Sequence, residues 1–213
     1  MKSPKHLLSL VVLMASLCAC SGPQYAGPAQ PSGFLGDPQI YKAMVRDAEI
    51  PGAMVYRATS RPLAGYDSFI VPPVAIFLTE EGRARGVSRD DLQELAQKFR
   101  AEVIASLGSR YQVVDVPAAR VAVLRLALTD AYPNFVLMNL PIVALITGGS
   151  YGGASLEAEL VDSVSGRSVA AVMAADRGES HSFTSSMTKW GETDAVLRDW
   201  AKIIAGRIDQ AHG

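Results

Sequence analysis

Hydrophobic positions along this chain follow two rhythms. Between Ser88 and Leu107 they recur every third or fourth residue, at Leu92, Leu95, Ala96, Phe99, Val103 and Leu107, the spacing of one helix face. Ser88 stands where an N-cap belongs, Asp91 follows at capping-box distance with Asp in place of Glu, and Gly108 supplies a stop. The same rhythm returns over Thr193–Gln210, with Val196, Leu197, Trp200, Ile203, Ile204 and Ile208 on the buried side. Asp37-Pro38 reads as the start of a shorter helix, with Asp as cap and Pro in the first turn. The second rhythm is alternation. Over Ala154–Asp162 it points Leu156, Ala158 and Leu160 inward and Ser155, Glu157 and Glu159 outward. Ser165-Gly166 then turns the chain and Val169–Ala175 returns, a predicted β-hairpin. Val121–Leu128 and Tyr111–Val116 read as further strands, and Phe69–Leu78 as one interrupted by Pro72-Pro73. Strands that run consecutively between helices predict an α+β single domain. Its sheet is expected to be mixed or mainly antiparallel, with the two main helices packed on one face.

The first residues do not fit that domain. Lys2 and Lys5 precede the almost wholly apolar run Leu7–Leu17. That run is too short to span a bilayer, which takes about 20 apolar residues, but it has the length and flanks of an export signal. It ends in Leu17-Cys18-Ala19-Cys20, a pattern that looks like a bacterial lipobox with Cys20 as the lipidated residue. Cys18 is the weaker candidate, because bulky Leu17 would precede its cut. The expected layout is a signal peptide at 1–19, a lipid-anchored tether at 20–33 rich in Gly, Pro, Ser and Gln, and the α+β domain at 34–213. Bacterial lipoproteins of this pattern carry a diacylglyceryl thioether and an N-acyl group such as palmitate, and Ser21 in place of Asp points to the outer membrane.

Composition narrows the chemistry further. The formal net charge is −1, with no basic stripe of the kind a nucleic-acid surface shows. Both cysteines sit at the signal junction, so a chain acylated at Cys20 has no internal disulfide. His6 leaves with the signal, and His181 and His212 form no Cys/His cluster for a metal. We therefore expect no cofactor, no metal and no nucleic-acid partner.

Some segments invite a functional reading. Gly148-Gly149-Ser150-Tyr151-Gly152 matches the G-x-S-x-G nucleophile elbow, with Asp162 or Asp176 and His181 following in the order of α/β-hydrolases. The residues after it alternate as a strand rather than opening a helix, and the would-be triad is too compact for that fold, so a glycine-rich turn is the better reading. The apolar segment Phe135–Thr147 is broken by Pro141 and too short to cross a membrane. A buried loop and core strand is the better reading; the alternative is a contact surface, through Phe135, Val136, Leu137, Met138 and Leu140, with Tyr151 in the adjoining turn. Glu157 and Glu159 share a strand face, and Arg125 would pair with that face if its strand lies alongside. Trp200 belongs to the core stripe, and Trp190 is placed to lock the last helix at its entry.

Ser32-Gly33-Phe34-Leu35, Tyr66-Asp67 leading into Val71-Pro72-Pro73-Val74, Leu124 to Asp130, Ala154 to Asp162, Gly166, Trp190-Gly191 and Asp199-Trp200-Ala201 occur in the order seen in one family. Over about Ser32 to Asp209 the chain resembles the domain-of-unknown-function 3313 lipoproteins of Gram-negative bacteria. The resemblance implies an envelope lipoprotein of uncharacterised role and offers no catalytic residues. The expectation is a non-catalytic binding or assembly module, lipid-anchored to the outer membrane and facing the periplasm, whose partners are the membrane and an envelope protein. The alternatives are a periplasmic carrier or chaperone of an apolar ligand such as lipid, and a serine hydrolase using Ser150.

Overall fold

A computed structural model describes residues 29–59, 63–134, 152–177 and 188–213. Among them lie four helices, α1 (Pro38–Ala43), α2 (Glu80–Ala84), α3 (Arg89–Gly108) and α4 (Gly191–His212), and eight strands. The strands are β1 (Val45–Arg46), β2 (Met54–Arg57), β3 (Ser68–Ile70), β4 (Ala75–Ile76), β5 (Gln112–Val113), β6 (Val121–Tyr132), β7 (Gly153–Asp162) and β8 (Ser168–Arg177). They form one sheet in the order β1-β2-β8-β7-β6-β3-β5, with β4 also pairing β6. Pairing is antiparallel from β1 across to β6 and parallel where β3 and β4 meet β6 and β5 meets β3. The fold is thus a mixed-sheet α+β domain, as the alternation and the consecutive strands predict.

The two long helices follow from their sequences. Ser88 accepts from the Asp91 amide at 3.1 Å, and Leu92, Leu95, Ala96, Phe99, Val103 and Leu107 are all buried, so the stripe read from spacing is the packed face. Gly108 is the last residue inside α3, and Ser109 follows in right-handed geometry, so no left-handed glycine ends the helix. Helix α4 buries Val196, Leu197, Trp200, Ile204 and Ile208. Trp190 caps it without a side-chain bond; its indole N–H donates instead to Asp91 Oδ1 at 3.2 Å. Asp91 also accepts from Ser88 Oγ and Lys189 Nζ, both at 2.7 Å, so one carboxylate joins the starts of α3 and α4. The entry lock therefore ties the start of α4 to α3.

Pro72-Pro73 splits the expected strand at Phe69–Leu78 into β3 and β4, since proline cannot donate to the ladder. Strand β6 runs past Leu128 to Tyr132, through a bulge at Thr129: Leu128 pairs with Leu156, but Asp130 pairs with Ser155. The extra residue moves Asp130 off the helix-packed face, which Leu124, Leu126 and Leu128 occupy, onto the face shared by Ser155 and Glu157. Strands β1 and β2 and helix α2 carry too few residues to show a period, and the spacing of apolar residues does not predict them.

One expectation fails clearly. Ser155, Glu157 and Glu159 do not face solvent: Glu157 is 0% exposed and Glu159 4%. The sheet is covered on both faces. Helices α3 and α4 cover one, and the N-terminal segment with α1 covers the other, seating Phe34, Leu35, Ile40 and Met44 on Ala127, Ala171 and Met173.

Candidate functional site

That second covering has the most unusual chemistry among the described residues. Asp37 caps α1 by accepting from the Gln39 amide, and Pro38 starts the helix with its φ already set. This short helix turns Tyr41 back toward the sheet, where its hydroxyl donates to Glu157 Oε2 at 2.6 Å. The Ser32 amide donates to Glu157 Oε1, also at 2.6 Å. The Tyr41 oxygen in turn accepts from the amides of Gly33 at 3.0 Å and Leu35 at 3.2 Å. A buried carboxylate is costly unless its oxygens find donors. Here both oxygens do, and the donors come from the strap that covers it. Burial, then the bond to Glu157, pushes the Tyr41 hydroxyl up to about 12. The end of the expected tether, residues 29–33, is part of this strap, with Ala29 packed on the same cluster.

Glu159, two residues along, has a different partner. Arg125 lies opposite it in register and donates to Oε2 at 2.7 Å, the pairing anticipated from the sequence. The guanidinium also sits 4.9 Å from the Phe34 ring centre, so the pair touches the strap. Burial raises the Glu159 carboxyl above its usual range, against the opposing pull of Arg125. Beside the pair opens a cleft of about 480 Å³ lined by Leu35, Asp37, Tyr56 and Arg167.

At the bulged end of the sheet, Arg85 Nε grips Asp130 at 3.1 and 2.9 Å and lies 4.1 Å from the Tyr132 ring centre, with Arg177 5.8 Å from the same ring. Strap residues Ala29, Gln30 and Pro31 close a second cleft here, of about 380 Å³, with Glu81, Ser155 and Arg177. The Thr129 bulge brings Asp130 and Tyr132 to this face, and burial raises the Tyr132 hydroxyl.

Cys20, Phe135, Val136, Leu137, Met138, Leu140, Ser150, Tyr151 and His181 lie outside the described residues. The points where the 135–151 segment leaves and rejoins the fold are described. Tyr132 and Gly153 pair directly, the Asn134 amide donates to the Lys189 carbonyl at 2.7 Å, and Thr193 Oγ1 donates to the Tyr132 carbonyl at 2.7 Å. A Cβ at Gly152 would fall inside contact distance of Asn134, Tyr132 and Thr193. The segment is therefore rooted on adjacent strand ends, stitched to the start of α4. His212 lies far along α4, its ring nitrogens 2.8 Å from the carbonyls of Ile208 and Tyr66. Among the described residues no three His, Cys, Asp or Glu side chains are grouped to hold a metal, and no helix is long and apolar enough to cross a membrane.

Sequence reasoning missed Tyr41 and the burial of Glu157. The available signal was a tyrosine on a proline-started helix beside an uncharged Gly/Pro segment, which is weak. Residues 30–204 match the model of the family described as a protein of unknown function, DUF3313. No curated protein matches. Among solved structures, a PelC dodecamer from Paraburkholderia phytofirmans is 17% identical, with 70% of this chain and 96% of that chain covered and a TM-score of 0.42. A Xanthomonas campestris protein of the DUF330 family model is 12% identical, covering 72% and 93%, with a TM-score of 0.38.

Proposed function

The chain belongs to the DUF3313 family of proteins of unknown function, and we propose that it works as a non-catalytic binding or assembly module, lipid-anchored through Cys20 to the outer membrane and facing the periplasm. The observation that carries this reading is the strap: the segment that would lead from an acylated Cys20 into the domain is bonded to a buried glutamate in the middle of the sheet. A domain joined to its anchor in this way is kept close to the membrane, and tethering raises its effective concentration toward partners in the same thin layer. The partner is an envelope protein, and the contact surface is Phe135, Val136, Leu137, Met138, Leu140 and Tyr151.

The test has two parts. Mass analysis of the N-terminal peptide should find acyl groups on Cys20, and Cys20→Ala should release the protein from membranes. A photo-crosslinking residue at Leu137 or Tyr151 should capture one envelope protein in cells, while the same residue at exposed Val164 should not. An unmodified N-terminal peptide on a freely soluble protein refutes the anchor. Equal capture from Val164 refutes the contact surface.

A further inference from the structure

The helical layer does not cover the whole sheet. Helices pack about 8–10 Å apart and strands about 4.8 Å apart, so α3 and α4 together cover roughly four strands. Toward β8 and β2 the covering thins, and among the described residues the outer flank of α4 meets the 47–53 loop through Arg207 and the 3-10 turn Leu63–Gly65. The strand residues facing this flank include Ala158 and Ala170, too small to fill the gap. A cavity of about 100 Å³ remains between α4 and the sheet, walled by Val55, Leu63, Leu124, Leu160, Trp200 and Ile204.

Its mouth is charged. Arg207 is bound to Asp47 at 2.7 Å and Glu49 at 3.3 Å, which fixes the 47–53 loop to α4. Arg57, on β2, makes no ion pair or side-chain hydrogen bond among the described residues. Beyond the mouth a second space of about 320 Å³ shares Arg57, Leu63 and Arg207 with the first and continues past Ala58 and Gln210. An apolar inner chamber, a roomier outer one and an arginine with no partner among the described residues form a site with two chemically distinct ends.

We propose that this site binds a free single-chain carboxylate amphiphile, with its alkyl end against Trp200 and its carboxylate on Arg57. The chemistry favours a carboxylate because a planar guanidinium receives it through two parallel N–H bonds. The size favours a medium chain: apolar cavities of about 150 Å³ hold a benzene-sized molecule, so the inner chamber takes the last few carbons, and Arg57, which lines both spaces, receives the carboxylate where the outer one begins. This goes beyond the anchored-module reading and does not depend on it, since the site lies on the helix face, opposite the strap.

Octanoate below its micelle concentration is the probe. Both core clusters lie within residues 29–213, so a chain beginning at residue 21 keeps every packed side chain described here. Trp190→Phe leaves Trp200 as the only tryptophan reporter. Octanoate should shift Trp200 emission saturably at one molecule per chain, and octanol should bind at least tenfold more weakly. Arg57→Glu, at an exposed position, should weaken octanoate at least tenfold, and Ala170→Leu should abolish the shift by filling the inner chamber. No saturable shift overturns the site, as does unchanged binding in Arg57→Glu. Binding to phospholipid vesicles without octanoate binding overturns the choice of ligand. Release of Cys20→Ala from membranes is read separately and bears only on the anchor.

Discussion

Replacing Tyr41 with Phe removes one oxygen and three hydrogen bonds: one donated to Glu157, and two accepted from the Gly33 and Leu35 amides. A hydrogen bond to a charged group contributes about 1.5–3 kcal/mol, while the two amides, partly reached by water, add less than about 1 kcal/mol each. With the strap still docked, Tyr41→Phe should therefore cost about 2–4 kcal/mol, because a carboxylate with no exposed surface loses one of its two donors. The strap can also lift off locally. If lifting is cheaper than keeping the defect, the loss in global stability stops at the docking free energy and the remainder appears as local opening. Urea denaturation measures the first and hydrogen exchange over Phe34–Met44 the second. The wild type adds an alkaline signature. The folded Tyr41 value, about 12, lies above the ordinary value of about 10. The contribution of its hydroxyl is complete below about pH 10 and disappears as pH rises toward 12, a loss the Phe variant cannot show at this position. A Tyr41→Phe protein within about 0.5 kcal/mol of wild type, with unchanged exchange over the strap, would refute the assignment of Glu157 as the strap's anchor point.

Three further outcomes can be checked. Phe99→Ala empties a fully packed position between α3 and the sheet and should cost about 3–5 kcal/mol in urea denaturation. Gly153→Ala would push a Cβ into the Asp176 carbonyl and the Arg177 Cα across the strand pair; a loss of about 1–3 kcal/mol is expected, with the hairpin register shifted in NMR spectra. Burial opposes ionisation of Asp47, but the Glu49 and Ile50 amides and the Arg207 guanidinium outweigh it and hold the carboxyl below its ordinary range. Its contribution is present above about pH 4 and lost as pH falls further, so Asp47→Asn should be destabilised at neutral pH and show a shallower decline below about pH 4.

Much of this architecture is readable from residue spacing, and the exceptions share a cause. The α3 stripe from Leu92 to Leu107 is legible because a helix repeats its buried face often enough to stand out. Alternation in β7 is equally clear, but it separates two faces without saying what covers each. Carboxylates are seldom buried, so Glu157 and Glu159 read as solvent-facing, and the structure buries them under a segment whose own Gly/Pro composition suggests no packing. Arg125 opposite Glu159 was legible because strand pairing brings unlike charges together. Strands β1 and β2 were not, since neither exceeds two full alternations and they flank a Pro51-Gly52 turn. The end of β6 was hidden by its bulge: Thr129-Asp130 interrupts the apolar pattern, yet pairing with β7 continues to Tyr132.

The Ser32–Glu157 bond joins residues 125 positions apart. Closing so large a loop gains nothing until β7 has paired with its neighbours, whereas the β7–β8 hairpin closes over a few residues. During synthesis the strap emerges early and finds no surface to settle on until almost the entire polypeptide has followed. Its apolar anchors, Phe34, Leu35 and Ile40, stay open to water or to an escorting chaperone throughout that interval, and the first stretch of this domain to be made is among the last to come to rest.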